Sequence, residues 1–201
     1  MTWLSPITLR GSHATLVPLC HDHHDDLVEA VRDGELWNLW YTSVPAPGGV
    51  HEEIERRLGL LNQNAVLPFA VIENATNKAV GMTNYLNVDS QNRRVEIGGT
   101  WYRRRVQRTG INTECKLLLL RHAFESLNCI AVEFRTHFFN QGSRRAIERL
   151  GAKLDGVLRN HLIAANGTTR DTCVYSIVVS EWPAVKAHLS WLLKAAQLRN
   201  E

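Results

Sequence analysis

Cysteine is scarce and scattered in this chain. The four present, Cys20, Cys115, Cys129 and Cys173, form no CxxC pair, which removes support for a zinc knuckle or a thioredoxin-type redox site. Small buried side chains in a reducing compartment are the expectation. Long apolar runs are missing too: none approaches the roughly 20 residues of a membrane span. The start, with Trp3, Ser5 and Pro6, lacks the basic and apolar regions of a secretory signal. A cytoplasmic protein with no membrane partner is expected. Nor does one sign of charge prevail, since 23 Lys and Arg face 20 Asp and Glu, a net charge of +3. That is too mild for a reader of duplex DNA, and no nucleic-acid partner is expected. The GKS/T of a Walker A loop and the GxGxxG of a dinucleotide fold are also absent, which argues against nucleotide hydrolysis and hydride transfer.

What is present suits one folded unit. A chain of 201 residues with 44% hydrophobic and 21% charged residues has the balance of an ordinary globular protein and is long enough for one well-buried core. With no repeat, low-complexity tract or linker to divide it, a single domain over residues 1–201 is expected.

The patterning predicts an α+β order. Thr8 to Pro18 alternates around Gly11 as a strand or hairpin arm. A helix follows, with Asp22 and Asp25 placed to cap or favour its start and Leu27, Val28, Ala30 and Val31 at helical spacing. An aromatic connection from Trp37 to Gly49 leads to a charged amphipathic helix over Glu52 to Asn64. Three antiparallel strands come next, Pro68 to Glu73, Ala79 to Val88 and Arg94 to Tyr102, the first two joined by a hairpin turn at Asn74 to Lys78. After Gly110, Leu117, Leu120, Ala123, Phe124 and Leu127 form a helical stripe. Ile130 to Thr136 then completes a βαβ unit. A short helix around Ala146, Ile147 and Leu150 stops at Gly151. The strands Lys153 to Ile163 and Asp171 to Val179 flank the Asn166-Gly167 turn, and a closing helix runs from Trp182 to Leu198 with Pro183 in its first turn.

The chemistry concentrates between Glu96 and Thr113, where a strand, a basic turn and a Gly-containing loop precede a helix. A helix N-terminus leaves backbone N–H groups without intrahelical acceptors and carries partial positive charge, so it attracts phosphate. Gly110 allows close approach of an anion. Arg103, Arg104, Arg105 and Arg108 add positive charge wherever they face the loop. A single glycine before a helix is otherwise an ordinary turn signal.

The segment Gln107-Arg108-Thr109-Gly110-Ile111-Asn112 resembles the Q/R-x-x-G-x-G/A pyrophosphate loop of the GNAT superfamily. Asn112 replaces the usual final Gly or Ala, as in the RimJ/RimL-like branch. Val95-Glu96-Ile97-Gly98 with Thr100-Trp101 resembles the family's fourth strand. Asn140-Gln141-Gly142-Ser143 through Glu148-Arg149-Leu150-Gly151 resembles its N-x-x-S helix segment. The resemblance covers most of the chain.

It implies a GNAT fold: a mostly antiparallel twisted sheet with helices on both faces and a splayed parallel junction between Arg94 to Tyr102 and Ile130 to Thr136. It implies acetyl-CoA as cosubstrate, bound by Ile97, Gly98, Gly99, Thr100 and Trp101, by Gln107 through Thr113, and by Asn140 and Ser143. A backbone N–H around Ile97 to Gly99 would meet the thioester carbonyl. The implied reaction is direct acetyl transfer to a primary amine in a ternary complex, and the alternative is a non-catalytic acyl-CoA-binding module. Glu96 matches the family's general base, useful because a free amine is mostly protonated at neutral pH; an ion pair with Arg94 is its other reading. Ser143 matches a donor to the coenzyme sulfur, and both Asn140 and Ser143 also suit helix capping.

The acceptor amine, a peptide or protein N-terminus or a small molecule, is open, as is a homodimer. Trp37, Trp40 and Tyr41 are spaced to line an acceptor groove or to pack in the core. His21, His23 and His24, with Asp22 and Asp25, do not converge as a metal site would require, and no metal is expected.

Overall fold

The structure, a computed structural model, describes residues 3–197. The expected opening hairpin is formed by Leu9–Arg10 (β1) and Ala14–Pro18 (β2), closed by the Gly11 N–H donating to the Ala14 carbonyl at 2.9 Å. Two helices follow, His24–Arg32 (α1) and Val50–Asn62 (α2). The second starts and ends two residues earlier than the charge pattern suggested. Neither Asp22 nor Asp25 caps the first: the turn before it opens at Cys20, whose backbone N–H donates to His23 Nδ1 at 3.1 Å.

Leu67–Glu73 (β3), Lys78–Asp89 (β4) and Arg94–Tyr102 (β5) are the three antiparallel strands. Gly110–Arg121 (α3) crosses over to Ala131–His137 (β6), which lies parallel to β5. Gln141–Glu148 (α4), Lys153–Ile163 (β7), Thr169–Val178 (β8) and Trp182–Gln197 (α5) complete the chain. Leu198, the expected end of the last helix, lies outside the described residues. The strand order is β1-β2-β3-β4-β5-β6-β8-β7. Among the described residues no helix is long and apolar enough to cross a membrane.

Alternation along the strands divides the apolar side chains between two faces. Phe69 and Val71 join the larger core with Leu119 and Leu120 of α3 and Leu189 of α5, whereas Ala70 joins Leu27, Val31 and Ile54 of α1 and α2. Helices on both faces therefore cover the middle of the sheet. Cys115, Cys129 and Cys173 are buried and free, and Cys20 is free and partly exposed.

Two irregularities at the middle of the sheet shape the site. β5 and β6 pair only from Arg94 opposite Ala131 to Glu96 opposite Glu133, and then diverge. On the other edge of β5, Gly98 lies opposite Asn84 and Trp101 opposite Met82, so Gly99 and Thr100 together face the single residue Thr83. This β-bulge needs a backbone turn that glycine makes without a steric cost, and Gly99 has φ +56°.

Helix α3 is fastened at its first turns. Glu114 is buried and accepts three backbone N–H groups from the opening hairpin: Ser12 at 2.7 Å, His13 at 2.7 Å and Ala14 at 2.8 Å. A carboxylate with three such donors satisfies most of its lone pairs away from water.

Candidate active site

Where β5 and β6 part, a cleft of about 670 Å³ opens between them. Its walls include Glu96, Ile97, Gly98, Gly99, Thr100 and Trp101 of β5, Asn112 of α3, and Asn140 and Ser143 at the start of α4. Residues more than forty positions apart thus meet at one place.

Glu96 is 6% exposed. Its Oε2 accepts from Asn87 Nδ2 at 2.7 Å and lies 3.5 Å from Arg135 Nε. Burial pushes its pKa up, against the opposing influence of Arg135 and the Asn87 hydrogen bond. The ion pair with Arg94 does not form. Arg94 instead donates to Glu133 Oε1 at 2.5 Å across the parallel seam, and Arg135 serves both Glu133 and Glu96.

Helix α4 separates the two roles expected of Asn140 and Ser143. Asn140 is the N-cap, its Oδ1 accepting from the Ser143 backbone N–H at 3.0 Å. The Ser143 side chain is not used for capping and faces the cleft wall.

Of the loop residues Gln107 through Thr113, Asn112 alone lines the cleft. Gln107 donates to the Tyr102 carbonyl at 2.9 Å. Arg108 has φ +63°, and Thr109 caps α3 by accepting from the Ile111 N–H at 3.3 Å. Ile111 is in the larger core, and Thr113 Oγ1 accepts from Arg149 at 3.1 Å. The absent β-carbon of Gly110 would sit 3.4 Å from His13 and 3.6 Å from Leu193. Of the flanking arginines, Arg103 is drawn to Glu29 and Asp33 and Arg105 to Glu73. Neither guanidinium is free for the loop.

Two buried cations at the cleft were not apparent from the sequence. Lys116 is 6% exposed and donates to Thr100 Oγ1 at 2.7 Å and Thr83 Oγ1 at 3.2 Å, directly beside the bulge. With no carboxylate partner among the described residues, it is held by hydroxyls alone, and burial lowers its pKa to about 8. Arg57 is also buried and donates to Glu53 Oε1 at 2.7 Å. Helical periodicity records apolar stripes, so charged residues on the inward face go unread.

The aromatic stretch divides. Trp37 packs against the α1/α2 core. Trp40 is half exposed, with its ring 4.9 Å from His137 and 5.9 Å from Phe139, while Tyr41 lines the cleft. The three histidines near α1 take separate partners: His21 pairs with Glu55, His23 with the Cys20 turn and His24 with Asp25.

A family model described as an acetyltransferase (GNAT) domain matches residues 13–153. The Bacillus subtilis (strain 168) protein "Putative ribosomal N-acetyltransferase YdaF" is 34% identical over 106 residues. That match covers 53% of this chain and 57% of the relative, so the chain spans little more than half the length of the curated relative. Among solved structures, a GCN5-related N-acetyltransferase from Brucella melitensis superposes with TM-score 0.81 at 30% identity, covering 94% of this chain and 86% of that one. A "putative acetyltransferase" from T. thermophilus gives TM-score 0.83 at 31% identity, covering 96% of this chain and 100% of its own.

Proposed function

We propose, from the premise that the chain belongs to the GNAT acetyltransferase family, that it falls in the RimJ/RimL-like branch and transfers an acetyl group from acetyl-CoA to a primary amine. The proposal takes residues 1–201 as one acetyltransferase domain. One observation carries it: the β5/β6 divergence places the buried carboxylate of Glu96, the bulged backbone at Gly98 and Gly99, and the Asn140 and Ser143 side chains on the walls of one cleft.

Acetyl-CoA supplies the activated acetyl group. The residues fit an elongated cosubstrate, because beyond Glu96 the β5 edge has no strand partner on the β6 side among the described residues. Backbone N–H groups there stabilise negative charge developing on a carbonyl oxygen, an effect worth several kcal/mol in a water-poor site. Glu96 takes the proton of the acceptor amine, directly or through one water. Burial raises its pKa, which makes it a better base than an ordinary carboxylate. Ser143 donates to the departing sulfur. A thiolate leaves without obligatory protonation, so this donor assists rather than decides. No covalent intermediate on the protein is required.

Calorimetry with acetyl-CoA, and thiol release during incubation with amines and N-terminal peptides, tests the reading. Wild-type protein should bind, and Asn112→Asp, which puts a negative charge in the cleft, should weaken binding at least tenfold. Binding without amine-dependent thiol release across the panel would leave a non-catalytic acyl-CoA-binding module as the better description. Absence of binding would exclude both.

A further inference from the structure

Two of the arginines near Glu96 are paired, Arg94 with Glu133 and Arg135 with both Glu133 and Glu96. Arg170, on β8 across the cleft from β5, has no carboxylate within ion-pair distance among the described residues. Its Nε donates to Thr172 Oγ1 at 3.1 Å, and that hydroxyl also meets His161 Nδ1 at 3.2 Å. Arg170 and His161 therefore share one anchoring hydroxyl on the same wall. Nearby His137 is 3% exposed; its Nδ1 accepts from the Phe139 N–H at 3.1 Å, and its Nε2 has no partner among the described residues. A guanidinium without a counter-ion and an unsatisfied buried imidazole nitrogen both line the cleft on the β6/β8 side. Burying polar groups in this way costs stability unless something else answers them.

Acetyl-CoA phosphates do not answer them. The loop beside Gly110 follows the Tyr102 end of β5, whereas Arg170 is close enough to Glu96 for their charges to interact. Six residues of strand separate Glu96 from Tyr102, or roughly 20 Å at about 3.3 Å per residue. One bound pyrophosphate does not serve both ends. A polycationic acceptor is disfavoured as well, because Lys116 is held by hydroxyls and Glu53 is shared between Arg56 and Arg57.

We propose that the acceptor is an amine carrying a carboxylate close to its nucleophilic nitrogen, with Arg170 and His161 receiving the carboxylate while Glu96 faces the amine. This rests on the transferase reading and names its substrate class. Together Arg170 and His161 orient the acceptor by its carboxylate, with the Arg170 guanidinium supplying the charge-assisted contact. In the transfer, the amine nitrogen forms the new C–N bond and the C–S bond breaks with its electron pair leaving on sulfur as a thiolate; the amine proton goes to Glu96, and the thiolate takes its proton from solvent.

The test is thiol release from acetyl-CoA with matched acceptors, compared per unprotonated amine. Amino acids are paired with their α-amides, and short peptides with Asp or Glu at the second position are paired with the Asn or Gln versions. The acid should exceed its neutral partner at least tenfold in kcat/KM in one series, small molecule or peptide, which identifies the source of the carboxylate. Arg170→Gln should collapse the acid-to-neutral ratio of kcat/KM toward one, chiefly through the KM of the acid, while leaving the acetyl-CoA affinity within twofold. Neutral acceptors reacting as well as acids, or Arg170→Gln slowing both alike, overturns the inference and leaves the transferase reading intact. Silence from every acceptor with acetyl-CoA bound overturns both.

Discussion

The carboxylate of Glu96 occupies the space that a side chain on Gly98 would need. A β-carbon at Gly98 would lie 2.6 Å from Glu96 Oε1 and 2.8 Å from Leu86 Cδ1. Residues i and i+2 of a strand share a face, so the glycine makes room for the acid two residues before it. Gly98→Ala should displace the carboxylate and lower the transfer rate at least tenfold, with an overpacking cost of about 1–3 kcal/mol. Steady-state kinetics beside thermal unfolding checks this, and an unchanged rate would show that the position of the carboxylate does not matter.

Glu96 should also link stability to pH with an unusual sign. Its pKa is raised in the folded protein, so the folded state holds the proton more tightly than the unfolded state. The stabilising contribution is complete below the unfolded carboxylate pKa and is lost as pH rises through the folded value. Above the folded value the side chain therefore opposes folding. Glu96→Gln should raise Tm at pH 7, lower kcat/KM by about 10²–10⁴ as expected for loss of a general base, and remove the acid limb of the pH–rate profile.

Lys116 gives the mirror case. Its pKa falls to about 8 on burial, so between that value and its unfolded pKa the unfolded chain binds more protons and stability rises with pH. Lys116→Met should stabilise the protein at pH 7 by on the order of 3 kcal/mol. The advantage should shrink as pH climbs from 8 toward 10.5. Denaturant unfolding across that range reads the effect directly.

Capping and catalysis separate at the start of α4. Asn140→Ala removes the N-cap and should cost about 1 kcal/mol. Ser143→Ala removes a hydroxyl that caps nothing, so its unfolding midpoint should hold while kcat falls. Equal thermal losses from the two substitutions would contradict this division.

Glu114→Ala should cost at least about 3 kcal/mol, because three backbone N–H groups of the opening hairpin lose their acceptor together. Hydrogen exchange at Ser12, His13 and Ala14 should accelerate first.

Much of the framework was legible because its signals are local. The strand Arg94–Tyr102 has the predicted bounds, and Gly151, with φ +97°, lies in the left-handed region that a helix-ending glycine favours. What escaped depends on neighbours distant in the chain. Arg94 and Glu96 share a face of one strand, which made them look like partners. The parallel register, however, brings Glu133 opposite Glu96 and within reach of Arg94; facing residues on adjacent strands lie closer than alternate residues along one strand. Arg103 and Arg105 looked like loop cations until Glu29, Asp33 and Glu73 arrived from other elements. Glu114 and Lys116 fall among the buried residues of α3, where the burial of charge depends on which surfaces enclose it.

Mechanically, the three residue pairs joining β5 to β6 make the sheet two panels hung on a short hinge line. One panel carries five strands and the other three. Beyond Glu96 no strand hydrogen bonds tie the two panels together among the described residues, so a molecule lying along the open end of the seam would act as a splint between them. Cosubstrate and acceptor would then do more than react: together they would fix the angle between the Glu96 panel and the Arg170 panel, and with it the alignment of base and amine.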